Sequence, residues 1–405
     1  MLDNVFILIG GPENTFTPRQ KKLFLFLIYL TIPLSGFAID IFTPSLPHMQ
    51  VAYHTSAHII KLMIIMYVIG YGFFQLITGA VSDSLGRRKP ILWGLFLNIV
   101  IAILIPFSPN VTILLILRFL QGFGISLYAV AARAVLSDLY SGPEFKKVVN
   151  YLTMVWSLGP IVAPFIGGYI QHYLGWQWNF YFLAAYTAVG FIVIFAFYKE
   201  TMLLKKPFKI TMIFSSYGKM LKSPVFDAAL ISLGLLYALL LAFNVIGPFL
   251  VQVVLHHSAV VFGYASLSMG AAWFLGQTLN RFLLRYHKIT IPVALSLSVL
   301  ASIGSLIIAL TCTMNLWLLI IPTWAIVFFA AMVLPNYFAS LISMFSETAG
   351  AVNALMASGL MMLSGLFTGV ASLFEFKTML PLSIVFIVFS GICLLLYVVA
   401  IRKME

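Results

Sequence analysis

The chain of 405 residues is 62% hydrophobic and only 8% Asp, Glu, Lys and Arg, against about 25% charged in an ordinary soluble domain, and its mean hydropathy is +1.07. A water-soluble globule of that composition would leave much apolar surface uncovered, so lipid is the solvent and the class is an all-α polytopic membrane protein. The 23 Lys and Arg against 11 Asp and Glu give a net charge of +12, too sparse for a nucleic-acid footprint, and the two cysteines, Cys312 and Cys393, lie in apolar runs that offer neither a disulfide framework nor a cysteine-based metal site.

Taken in chain order, the first apolar patch, Val5 to Ile9, is too short for the core of a cleavable signal and runs into Gly10, Gly11 and Pro12. Beyond it, windows of roughly 20 apolar residues, enough to cross about 30 Å, pick out twelve spans: 23–47, 59–82, 90–107, 111–139, 147–171, 178–198, 225–252, 259–284, 290–311, 315–344, 349–371 and 378–400. Spans one and ten carry Pro33, Pro44, Pro47 and Pro335 and are expected to bend, because proline removes a helical donor. The basic segment after span six divides the chain into an N-terminal six-helix half, 1–199, a linker, 200–224, and a C-terminal six-helix half, 225–405. A shift of 197 residues lays Gly276, Asn280 and Arg285 over Gly79, Asp83 and Arg88, a faint repeat of the kind expected for a transporter of two related halves. The linker is too short for a nucleotide-binding domain and no GxxxxGK[ST] occurs, so uphill transport must draw on an ion gradient or a partner.

Orientation follows from the cations. With both termini cytoplasmic, all of the 23 Lys and Arg except Lys61, Lys377 and Arg118 fall at cytoplasmic segments, as the positive-inside rule requires. Lys61 and Lys377 lie on the opposite side and Arg118 inside span four. Tyr173, Trp176 and Trp178 suit the outer interfacial belt.

Between spans two and three the chain reads Gly79-Ala-Val-Ser-Asp83-Ser-Leu-Gly86-Arg87-Arg88-Lys89-Pro90. Gly79 permits close helix approach, Gly86 a positive φ, Asp83 a pairing with the arginines, and Pro90 the first turn of the next helix. The ordered G-x3-D-x2-G-R-R-K pattern resembles the signature loop of the major facilitator superfamily. Span four adds Arg118-x2-Gln121-Gly122 and then Arg133-Ala-x3-Asp138-Leu, similar to the R-x-x-Q-G and R-A-x-x-x-D-L segments of the family's drug exporters. Span five carries Gly159-x3-Ala163-Pro164-x2-Gly167-Gly168, similar to the antiporter motif G-x3-G-P-x2-G-G with Ala163 in place of its second glycine. Span one holds Asp40-Ile-Phe-Thr-Pro44-Ser-Leu-Pro47, similar to the D-x-Y-L-P-x-L-P of the Bcr/CflA branch of drug:proton antiporters. The resemblance covers essentially the whole chain. The second half departs more, with Asn280 in its loop and Asn353 where a small residue is usual.

Asp40 and Arg118 are the ionisable residues most clearly inside the membrane, where a charge costs at least about 2.5–3.5 kcal/mol and needs a partner, an aqueous cavity or neutralisation. Arg118 lies about 10 Å from the outer start of span four and Asp40 between about 10 and 16 Å deep, so the two can share a level. The resemblance implies that spans one, four, seven and ten line a central cavity and places both residues on its wall. Asp40 then reads as a proton-coupling carboxylate on which burial and the Arg118 charge act in opposite senses; the alternatives are a boundary carboxylate reaching water and an Arg118 that ties backbone carbonyls. Glu347, Glu375 and Asp227 lie near span ends, so proton handling belongs to the first half.

Tyr67, Gln75, Tyr128, Tyr237, Asn244, Tyr337 and Asn353 are candidates for polar contacts to substrate in a mostly apolar pocket, or for interhelical hydrogen bonds. The resemblance makes Gly79, Asp83, Gly86, Arg87, Arg88, Arg133 and Asp138 a conformational latch, with Asp83 facing the start of span eleven near Thr348. Gly159, Ala163, Pro164, Gly167 and Gly168 read as a helix-packing stripe. His54 and His58 stand at i,i+4 spacing without further ligands, so no metal is expected, nor any cofactor.

These features together predict twelve transmembrane helices in two six-helix halves, the major facilitator fold implied by the resemblance. The function expected is an exporter working by alternating access, which the resemblance makes proton-coupled and directed at drugs or small amphipathic compounds, a monomer in the cell's inner membrane whose partners are substrate, protons and lipid. The alternative is a dedicated exporter of an endogenous metabolite such as a siderophore or amino acid; the span-five motif disfavours an importer. A channel would need a continuous polar lining and a membrane enzyme a catalytic cluster, and the spans carry neither.

Overall fold

The computed structural model describes residues 16–202, 204–205, 207–208, 210–345, 349–374 and 377–404, and they are almost entirely helical, with no strand among them. Span one is assembled from α1 (Pro18–Thr31), α2 (Leu34–Asp40), a 3-10 turn (Thr43–Ser45) and α3 (Leu46–Ala52). The next five spans are α4 (Ala57–Leu85), α5 (Arg88–Leu104), α6 (Val111–Leu139), α7 (Gly142–Tyr173) and α8 (Gln177–Phe197). A short helix, α9 (Ile210–Met220), lies in the linker. The remaining spans are α10 (Pro224–Phe249), continued by a π turn (Leu250–Val254), then α11 (Ala259–Leu283), α12 (His287–Thr311), α13 (Leu316–Met344), α14 (Ala349–Ala371) and α15 (Leu380–Val399).

Among the described residues, eleven continuous helical stretches are long and apolar enough to cross a membrane, one of them, Ala259–Thr311, of 53 residues. At about 1.5 Å per residue that stretch is far longer than a bilayer is thick. It is divided at the 3-10 turn Leu284–Tyr286 into α11 and α12, which makes twelve spans. Span one is interrupted at Pro33 and again after Asp40, whereas α13 runs as one continuous helix through Pro322 and Pro335. Four spans begin with side-chain caps at the end where α4 starts: Ser56 and Ser258 cap α4 and α11, Asn110 and Asn315 cap α6 and α13, each satisfying an orphan amide.

The helix pairing of the first six spans recurs in the last six. In the first set α2 packs on α7, α4 and α5 on α6, and α5 on α8; in the second α10 packs on α14, α11 and α12 on α13, and α12 on α15. The two sets meet along two seams, α4 with α14 and α7 with α11. The end where α4 stops and α10 starts, which also carries α9, is here called the linker end, and the opposite one the far end. Hydrogen bonds cross between the sets from His58 Nδ1 to the Ser372 carbonyl at 2.8 Å, between Tyr169 and Tyr264 at 2.9 Å, and from Ser358 to the Gly72 carbonyl at 2.7 Å. They lie at the far end or the middle. At the linker end α9 rests on α4 and α14, and Tyr217 donates to the Leu76 carbonyl at 2.9 Å.

The small residues of α7 divide between two neighbours. Gly159 lies against Pro33 and Gly36 of span one, and Gly168 against the Ala259 carbonyl of α11. Pro164 touches Gly263 of α11 through its carbonyl, and Ala163 is fully buried. Gly167 is the tightest point, since a Cβ there would come within 1.7 Å of the Ile41 carbonyl oxygen. Because that oxygen belongs to backbone, no side-chain rotation relieves the clash, and overpacking of this kind costs about 1–3 kcal/mol or more. Gly167→Ala is therefore expected to lower the melting temperature and the yield of monodisperse protein more than Gly159→Ala does. Melting like the unsubstituted protein would show that α7 and span one are not locked at this position.

Candidate functional site

Where span one breaks, carbonyl groups lose their usual helical donors and must find others inside an apolar bundle. Arg118 of α6 supplies one such bond, from Nη2 to the Ala38 carbonyl at 3.0 Å; its Nε donates to the Met63 carbonyl of α4 at 3.1 Å, and Nη1 binds Gln121. Gln121 continues to Asn98 at 2.9 Å, and Asn98 to Thr187 at 2.8 Å. The guanidinium is held between two rings, 4.3 Å from the Phe42 centroid and 4.5 Å from that of Tyr67, a cation–π arrangement strengthened by the full burial of Arg118. Tyr67 is itself anchored through its hydroxyl to the Ser35 carbonyl at 3.1 Å.

Asp40 stands at the last residue of α2, only 1% exposed. Its main-chain carbonyl accepts from Thr43 at 2.8 Å. Its Oδ1 accepts from Asn244 Nδ2 of α10 at 2.9 Å, and Oδ2 has no hydrogen-bond partner among the described residues. Among the described residues no ion pair joins Asp40 to Arg118. The expectation of a neighbourly charge is met only at longer range, close enough for electrostatic interaction, because the arginine's donors are taken up by carbonyls and Gln121.

Asn244 and Tyr237 line a cavity with Trp156, Ile161, Ser266 and Trp273, about 10 Å³ in volume, room for about one water. Ser266 donates to Asn244 Oδ1 at 3.2 Å, Trp156 donates to Ser35 at 3.0 Å, and Tyr237 meets Trp273 edge-on at 5.8 Å. A drug-sized ligand needs several hundred Å³, so this conformation is closed around the centre. Of the other sequence candidates, Tyr67 belongs to the Arg118 sandwich. Gln75 and Tyr337 are buried outside this lining, Tyr128 is packed where α5 crosses α6 at Gly94, and Asn353 is exposed.

At the linker end Arg87 donates to Asp138 at 2.9 Å, to Ser82 at 3.0 Å and to Asp83. Burial works against its charge, but the bonds to Asp138 and Asp83 raise its pKa above the ordinary arginine value, so the guanidinium stays charged. Gly86 turns the chain with φ +92°, and a Cβ there would strike the Glu200 carboxylate. That carboxylate accepts from the amides of Arg87 at 2.9 Å and Arg88 at 3.1 Å, capping α5. Arg88 in turn binds the Tyr198 and Phe195 carbonyls that end α8, at 2.9 and 2.8 Å. Gly79 faces only Val130. Arg133 stands apart from this cluster, bonded to the Ala129 carbonyl at 3.1 Å and near the Tyr71 hydroxyl. The cluster thus joins spans two, three, four and six of one set; Thr348, toward which Asp83 was expected to face, lies outside the described residues, as do Glu347, Glu375 and the Val5–Ile9 patch.

Several residues of the site carry no signal in the sequence. Glu200 reads as a loop charge, Trp156, Trp273 and Ser266 as span filler, and Gln252, which donates to the Pro44 carbonyl at 2.8 Å across the two sets, as a boundary residue. Lys61, expected at the outer boundary, is 2% exposed, with its ammonium 5.1 Å from the Phe249 ring. Among the described residues no group of three or more His, Cys, Asp or Glu is placed to hold a metal ion.

Residues 28–369 match the family model described as Major Facilitator Superfamily. The chain is 28% identical over 354 residues to the uncharacterized MFS-type transporter YdgK of Bacillus subtilis, covering 84% of this chain and 86% of that one. It is 31% identical over 185 residues to a bicyclomycin resistance protein homolog of Haemophilus influenzae, 45% of this chain and 46% of the relative. It is also 31% identical over 169 residues to a chloramphenicol resistance protein of Pseudomonas aeruginosa, 42% and 40% of the two chains. Among solved structures, a peptide transporter POT in complex with sulfate superposes with a TM-score of 0.76 at 14% identity, over 94% of this chain and 95% of the other, a likeness of fold.

Proposed function

The chain belongs to the major facilitator superfamily, a transporter rather than an enzyme, and on that footing we propose that it is a proton-coupled secondary exporter of drugs or other small amphipathic compounds, working by alternating access. The observation that carries this reading is Asp40, a carboxylate buried between the two sets of spans, with one oxygen on Asn244 and the other without a partner. A group so placed changes its interactions with both its proton and its neighbours when the halves move apart. The names of the bicyclomycin and chloramphenicol resistance relatives support drug efflux. The aromatic lining by Trp156, Tyr237 and Trp273 suits amphipathic ligands. The distribution of Lys and Arg supports both termini and the linker on the cytoplasmic side of a cell inner membrane, where the protein acts as a monomer.

Expression in an efflux-deficient bacterial host tests this. Severalfold resistance to bicyclomycin, chloramphenicol or another amphipathic antibacterial, lost on adding a protonophore, is expected. A host that gains no resistance and exports no compound that the empty-vector host retains would overturn the reading.

In the same reading the Asp83–Arg87–Asp138 cluster is the cytoplasmic latch. States that open to opposite sides must lie within a few kcal/mol of each other, so a modest contact sets their balance. When the far end opens, the linker end closes and Asp83 reaches the start of α14, whose N-terminus favours a carboxylate by up to about 1 kcal/mol. Asp83→Asn is expected to shift spin-label distances between the halves toward the linker-open state and to slow transport. Lower thermal stability with an unshifted distance distribution would instead make Asp83 a structural cap.

A further inference from the structure

Asp40 and Asn244 belong to different halves, and their bond joins the halves at the level of the central cavity. The other cross-ties end on carbonyls or between hydroxyls: His58 on Ser372, Gln252 on Pro44, Ser358 on Gly72, Tyr169 with Tyr264. In the Asn244 tie the acceptor is a carboxylate, and a hydrogen bond to an ionised acceptor is roughly twice as strong as one between neutral groups. Asn244 also has a second face. It lines the cavity with Ser266, whose hydroxyl holds Asn244 Oδ1 and so turns the amide NH₂ toward Asp40. A ligand in the cavity meets the same amide that binds the carboxylate.

We propose that Asn244 is the leak stop of the transporter, a positioning residue whose amide holds the far end shut when Asp40 is ionised and the cavity is empty, and releases it when a proton or a ligand takes its place. The inference rests on the proton-coupled reading of Asp40. An antiporter must move freely when carrying a proton or a substrate and must not when carrying neither. If the empty, ionised carrier exchanged freely, each cycle would admit a proton and export nothing. The Asp40–Asn244 bond is strongest in that forbidden state. A proton, for which Oδ2 is available, weakens it by removing the charge, and a ligand hydrogen-bonding to Asn244 or Ser266 competes for the amide. The charged and titratable groups that face Asp40 are Arg118 from α6, Tyr67 from α4 and Tyr237 from α10. None of them bridges the halves by a hydrogen bond to the carboxylate among the described residues, so the tie is Asn244's.

The test needs no ligand. The full chain is reconstituted into liposomes with a pH-sensitive dye inside, an acid-outside gradient is imposed, and proton entry is followed with no transported compound present. Wild type is expected to be tight. Asn244→Ala is expected to admit protons about tenfold faster, the change that follows from losing a hydrogen bond to a charged group, and Asn244→Ala combined with Asp40→Asn to return to the wild-type rate. Ser266→Ala, which frees the amide without removing it, gives a smaller rise of about threefold and serves if the first variant does not fold. Proton entry at the wild-type rate in both folded single variants would overturn the leak stop alone. A fast leak that persists with Asp40→Asn would place the proton path elsewhere and overturn the proton-carrier reading of Asp40 with it.

Discussion

Asp40→Asn is expected to abolish uphill efflux while leaving downhill, substrate-driven movement in place. The asparagine keeps the size of the side chain and an acceptor oxygen for Asn244, so the packing at the end of α2 is retained. What it loses is the exchangeable proton. One proton moving down a 100 mV potential supplies about 2.3 kcal/mol, enough to sustain a substrate gradient of about 50-fold. Without a carrier the accumulation ratio in everted vesicles falls to one. The measurement is energised uptake of a compound to which the wild-type protein confers resistance, compared with passive equilibration of the same compound. Undiminished accumulation by a well-expressed variant would remove Asp40 from the coupling path.

Arg118→Ala is expected to be the most damaging single substitution for both stability and transport. It leaves the Ala38 carbonyl and the Gln121 amide oxygen without the donor each has from Arg118 and takes an extra donor from the helical Met63 carbonyl, at about 1–3 kcal/mol for each buried group left unsatisfied. It also opens the space between the Phe42 and Tyr67 rings. Folded proteins hold a margin of only about 5–15 kcal/mol, so the variant melts well below wild type, and transport falls with it because span one loses the brace that positions Asp40. Arg118→Lys restores the charge but not the planar fork, and is expected to recover part of the transport and little of the thermal stability. If Arg118→Ala melted like wild type, the brace would be refuted. If Arg118→Lys recovered melting and transport in full, the fork would be irrelevant and only the charge would matter.

The spans were legible because lipid makes composition decisive: a helix that crosses hydrocarbon must be apolar, and runs such as 225–252 and 378–400 announce themselves. The breaks in span one were legible from Pro33 and Pro44, since a missing amide has a local consequence. At Pro335 the helix stays continuous, because neighbouring helices can re-satisfy a freed carbonyl in lipid. The eleven-residue α9 escapes a search for spans and belongs to a linker that reads as basic coil. Within the site, Asp40 and Arg118 stood out because charges in apolar runs are costly, but their partners did not. Arg118 binds carbonyls of residues 55 and 80 positions away, and backbone acceptors leave no mark in a sequence. Ser266 and Gln252 matter only because α11 and the end of α10 come to rest against span one. Glu200 became visible only once α5 and α8 were seen to end beside each other, with its carboxylate on one terminus and Arg88 on the other.

The central claim, that the chain exchanges protons for an amphipathic substrate, is tested most directly by counterflow in liposomes containing the wild-type protein alone. With a compound chosen from the resistance screen and an imposed pH gradient, the account predicts that substrate moves against protons. Substrate added to one side should also drive protons toward it from the other, in proportion to the substrate moved. Substrate movement indifferent to the pH gradient, or an electrical conductance in place of stoichiometric exchange, would contradict it.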